Sequence, residues 1–167
     1  DWFEELVGFP EASGDEIRQR LDWNGEWLSC KESENQWHAG TFSTPSLSQL
    51  RSEVALHSDE TGTRIREVVA DVRALHLDPQ NRHAVFQVAS HFNCLEMVSP
   101  AVTPEQGVGC YDQGFTQGPT CAICAGAGTI VRNYFVEVGG CRGQSKSLQV
   151  DCLRELAVHW ENERHRH

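Results

Sequence analysis

No stretch of the chain approaches the roughly 18 consecutive apolar residues of a membrane-spanning helix, which excludes an integral helical membrane protein. The start, Asp1-Trp2-Phe3-Glu4-Glu5, lacks the basic segment and apolar core of a secretory leader. Basic residues are scarce: 14 Lys and Arg stand against 24 Asp and Glu, a formal net charge of -10. A duplex nucleic-acid binder needs a basic face to release counterions from phosphates, so no duplex nucleic acid and no anionic membrane surface is expected as a partner. A local basic pocket remains open. Internal repeats and low-complexity tracts are absent too.

What is present suits one globular domain or most of one: 167 residues, 39% hydrophobic and 23% charged. The seven cysteines, Cys30, Cys94, Cys110, Cys121, Cys124, Cys141 and Cys152, are odd in number and come without a leader. That favours thiols in a reducing compartment over a disulfide framework, and hence a cytoplasmic location.

Along the chain, residues 1–45 read as short β segments. Asn24-Gly25 lies between aromatic and aliphatic residues, a hairpin signal. Residues 36–42 form a second candidate strand, with tryptophans as core or pocket wall. Ser46 reads as a helix N-cap, with Leu47, Leu50 and Val54 on one buried face to about His57. Residues 64–72 read as a strand ending on Asp71, residues 78–81 as a turn, and residues 84–90 as a strand buried on both faces. Residues 98–118 are loop-like, and a helix opens at Pro119 with Cys121 to Tyr134 as its body. Residues 135–138 form a further strand broken at Gly139-Gly140, and a helix begins at Ser147. The organisation predicted is therefore a β-hairpin plus helix region over 1–62, an α/β core over 63–156, and a polar frayed tail over 157–167.

Four groups of residues could carry chemistry. Cys121 and Cys124 form a CxxC pair, but a structural zinc site wants a second close pair, so no metal is expected. Either thiol could be a nucleophile, with His159 as the candidate base. Gly126 and Gly128, ahead of Arg132, form a segment whose backbone N–H groups could approach a phosphate. It lacks the lysine of a P-loop and the third glycine of a dinucleotide fingerprint, and no cofactor is expected. Finally, Asp71, Ser90, Asn93 and Gln117 lie where ligands of α/β folds collect, at the carboxyl ends of strands. The competing reading makes Asp71 and Asn93 turn caps.

Residues 70–72 together with Val85-Phe86-Gln87-Val88-Ala89-Ser90-His91-Phe92-Asn93 resemble the opening of macrodomain-like proteins, nearest the poly(ADP-ribose) glycohydrolase-like branch. The resemblance implies a mixed sheet flanked by helices and a pocket for ADP-ribose or a related nucleotide. It makes Asp71 the adenine contact, Asn93 the distal-ribose contact, and Gln117 the first member of the Gln-Glu loop, with residues 117–128 lining the phosphate or distal ribose. Two departures matter. Cys94-Leu95-Glu96 replaces the usual glycine triplet. Gly118 replaces the glutamate that does acid/base work on the glycosidic bond, so the resemblance implies binding rather than hydrolysis. A second glycine-rich loop is also wanting, so the domain reads as partial. The alternatives are a cysteine-dependent enzyme using Cys121 or Cys124 and a non-catalytic interaction domain.

Overall fold

The computed structural model describes residues 1–43, 45–53, 62, 64–85, 102–113 and 117–150. The first 20 residues are helical where β structure is expected. Helix α1 is Trp2–Val7; Asp1 caps it by accepting from the Phe3 N–H, and Gly8 ends it in the left-handed region at φ 84°. Helix α2, Gly14–Arg20, starts on a capping box in which Ser13 and Glu16 each satisfy the other's backbone N–H. Both signals were present in the sequence: acid then Gly around an apolar face, and Ser-x-x-Glu.

The expected hairpin follows. Strand β1 (Leu21–Trp23) pairs with β2 (Trp27–Cys30), which pairs with β3 (Gln36–His38), all antiparallel. At the turn only Gly25 takes a positive φ, 104°. Asn24 contributes differently: its side-chain oxygen accepts from the N–H groups of Glu26 at 3.0 Å and Trp27 at 2.8 Å. The third strand stops at His38, short of the expected Phe42, because the Ala39 and Gly40 N–H groups both turn onto the Glu26 carbonyl.

Helix α3, Leu47–Glu53, is capped by Ser46 as expected. Of its expected buried face, Leu47 is 57% and Leu50 42% exposed, and Val54 lies outside the described residues. Residues 64–71 carry no regular structure, against the predicted strand, and Ile65 and Val69 stand fully in solvent. Among the described residues no strand pairs with them, and Asp71 instead caps helix α4, Val72–Leu77. Most of the buried strand expected over 84–90 lies outside the described residues.

Part of the expected loop is packed. Residues Pro104–Gln106 and Gly109–Gln113 form two 3-10 turns, with Val108 and Tyr111 in the core. The Glu11 carboxylate holds them, accepting from the N–H groups of Val108 and Gly109 at 2.8 Å each and from the Tyr134 hydroxyl. The helix predicted from Pro119 is two helices, α5 (Gln117–Cys124) and α6 (Gly126–Tyr134), broken at Ala125. Strands β4 (Glu137–Val138) and β5 (Cys141–Arg142) close a small hairpin on Gly139-Gly140.

The fold is thus mixed α/β, with helices beside two small antiparallel sheets. One hydrophobic core, including Phe3, Ile17, Leu28, Ile130 and Val131, draws on both sides of the boundary expected near residue 62. No described helix is long and apolar enough to cross a membrane.

Candidate functional site

Helix α4 is short, and its position comes from its ends. The Asp71 carboxylate accepts from the Arg73 N–H at 2.7 Å, and Asn81 donates from its side chain to the Leu75 carbonyl at 2.9 Å. Asn81 belongs to the 3-10 turn Pro79–Asn81, itself capped by Asp78. These bonds set His76 against α5, where its Nε2 lies 3.3 Å from Cys121 Sγ. Helix α6 is tied to α5 by the Thr129 hydroxyl, which donates to the Ala122 carbonyl at 2.7 Å.

Between these elements and the 39–42 segment lies a cleft of about 650 Å³. Its charged and titratable walls are His76, Arg82, His83, Cys121 and Arg132; among the described residues no Asp or Glu lines it. Among the described residues the Arg132 Nε is buried without a hydrogen-bond partner. Leaving such a donor unsatisfied costs on the order of 1–3 kcal/mol. His83 is the one non-glycine residue among those described with a positive φ, 67°. Strained backbone of this kind collects at binding sites. No family model matches the chain, and no curated protein and no solved structure is significantly similar to it. The chemistry must therefore be argued from the cleft itself.

The CxxC pair is divided between two clefts. Cys121 lines the basic one; Cys124 lines a second, of about 590 Å³, walled by Trp2, Leu6, Trp37 and Ala39 together with Gly126 and Gly128. Burial pushes the Cys124 thiol up; nearby Arg73 lowers it and Asp71 raises it. Among the described residues no three His, Cys, Asp or Glu side chains could hold a metal ion, and none of the described cysteines is in a disulfide.

Of the other expected site residues, Gly128 lines the basic cleft as well as the second one; the remaining described ones do not line the basic cleft. Asp71 is exposed and lines neither cleft; its carboxylate is engaged as the α4 cap. Ser90, Asn93 and His159 lie outside the described residues. Gln117 opens α5, and Gly118 is buried in its first turn. Gly126 and Gly128 permit close packing: a Cβ on Gly126 would sit 2.9 Å from the Trp2 ring, and one on Gly128 3.2 Å from the Ala39 carbonyl oxygen. The residues that sequence reasoning missed are His76, Arg82 and His83. The expected strand over 64–72 took Asp71 as its end and left residues 73–77 unassigned, although an aspartate there fits a helix N-cap equally well.

Proposed function

We propose that this chain is a binding module for a phosphate-bearing nucleotide of ADP-ribose type, and that the basic cleft between α4, α5 and α6 is its pocket. One observation carries the reading. A chain of net charge -10 concentrates two arginines and two histidines in a cleft with no carboxylate among its described lining residues. A basic cluster in an acidic protein focuses anions. Its volume falls in the range of small-molecule sites, about 300–1,000 Å³. The ADP-ribose identity and the macrodomain-like core rest on the resemblance of residues 70–72 and 85–93 and belong to the same proposal. Gly118 stands where that resemblance wants an acid, which favours binding over glycosidic hydrolysis.

Calorimetry of the intact chain with ADP-ribose tests it. Saturable binding is expected, and Arg132→Gln should weaken it at least about tenfold, the worth of one charge-assisted hydrogen bond. Asp71→Asn keeps the α4 cap and should leave binding in this cleft unchanged, since Asp71 does not line it. Silence at about millimolar ligand, in a sample whose circular dichroism shows it folded, sinks the reading.

A further inference from the structure

The basic cleft holds a second feature that binding alone does not use. Cys121 Sγ and His76 Nε2 stand 3.3 Å apart on its wall, within reach of a proton transfer. A nucleophile beside a base, opening on a cavity, is the arrangement from which thiol chemistry proceeds. We propose that Cys121 is a nucleophilic thiol, with His76 taking its proton, and that it attacks a carbon electrophile bearing phosphate or carboxylate charge held by Arg82 and Arg132. The proposal rests on the anion cleft described above.

The step balances without an outside oxidant. The Sγ proton passes to His76 Nε2, a sulfur–carbon bond forms, and the leaving group departs with the electron pair of the bond that breaks. A basic leaving group takes the proton back from His76. The arginines stay out of the bond changes; they hold the charged end of the electrophile and so determine which electrophiles enter. Cys124, three residues on, is a poorer candidate, because it opens on the other cleft.

Two alkylating reagents of nearly equal size separate the parts. Iodoacetamide is neutral and iodoacetate is an anion. Both transfer a carbon to sulfur and release iodide. The intact chain is treated briefly with each, and modification is read cysteine by cysteine by mass spectrometry, with exposed Cys141 as internal standard. Cys121 is expected to react with iodoacetamide about tenfold faster than Cys141, as an activated thiol does. His76→Gln should slow Cys121 about tenfold or more and leave Cys141 unchanged, with circular dichroism showing that the variant is folded. The ratio of iodoacetate to iodoacetamide rates should be higher at Cys121 than at Cys141, and Arg132→Gln should bring it down.

Cys121 reacting no faster than Cys141 overturns the proposal, as does a His76→Gln chain with an unchanged Cys121 rate. If ADP-ribose binds in calorimetry while Cys121 is slow, the thiol reading fails alone and the nucleotide reading stands. If Cys121 is fast but shows no preference for iodoacetate, the anionic electrophile is overturned, and absence of nucleotide binding in the same sample removes the anion cleft with it.

Discussion

At the scale of single residues, Glu11 and Tyr134 tie the N-terminal segment to α6. Tyr134 is 6% exposed, and its hydroxyl donates to the Glu11 carboxylate. Burial pushes its pKa above the ordinary 10.0, and the adjacent Glu11 charge adds to the shift. A raised pKa in the folded state means that the folded chain holds this proton more tightly than the unfolded chain does. The resulting stability is fully present below the unfolded value and is lost as pH climbs toward the folded one. Thermal midpoints of the parent should therefore fall more steeply between about pH 9 and about pH 11 than those of Tyr134→Phe. The variant starts lower at every pH because Glu11 loses a donor, so the comparison is of slopes, and parallel slopes would contradict the assignment. Nothing in the sequence marks Glu11, since its partners lie 97, 98 and 123 residues away. The same holds for Cys121 and His76, which are 45 residues apart. Cys121 was legible as a thiol among glycines, but which histidine stands beside it depends on α4, of which the expected strand covered only Val72 and the rest had no assignment.

At the scale of elements, the break between α5 and α6 shows how a close packing requirement overrides propensity. Gly126 opens α6 with its Cα turned toward Trp2 and Leu6, and an added Cβ would meet the Trp2 ring at 2.9 Å and Leu6 Cδ2 at 3.1 Å. Trp2 has little room to yield: it is 9% exposed and its indole N–H donates to the Val108 carbonyl at 2.9 Å. Alanine would gain about 1 kcal/mol in helix propensity, against about 1–3 kcal/mol for overpacking a core contact. Gly126→Ala is thus expected to destabilise by about 1 kcal/mol in urea unfolding, and more than Gly128→Ala. A stabilised Gly126→Ala chain would mean that the Trp2 contact is loose. Elements whose signals are local were legible: the Asn24-Gly25 hairpin, the Ser46 cap, and the helical stretch after Pro119. The helices α1 and α2 had equally local signals, in Asp1 with Gly8 and in Ser13 with Glu16, which the aromatic-rich composition of the N-terminal segment masked by pointing to β structure. The run 64–72 failed for another reason. Ile65, Val68 and Val69 have β propensity without strict alternation, and such propensity reports packing against a neighbour rather than an intrinsic backbone preference.

At the scale of the whole molecule, two electrostatic fields oppose each other. The chain as a whole carries -10, while the proposed pocket presents Arg82 and Arg132 without a carboxylate among its described lining residues. An anionic ligand approaching from a distance meets the first field and, once inside, the second. Salt separates them by range. The Debye length is about 30 Å at 0.01 M and about 8 Å at 0.15 M, so at low ionic strength the ligand is repelled before it reaches the cleft, and at higher ionic strength it senses mainly the arginines. The association rate of ADP-ribose should therefore rise as salt is added from about 0.01 M to about 0.15 M, the reverse of the steering seen with basic anion binders. Tryptophan fluorescence in a stopped-flow instrument can follow it, with five tryptophans in the chain as reporters. Arg132→Gln should leave the salt trend of association in place, because one charge changes the long-range field little, and should raise the dissociation rate, because that arginine acts only at contact. An association rate that falls with salt would mean that a local positive surface governs approach, and that the ligand enters by a route on which the acidic bulk of the chain does not bear.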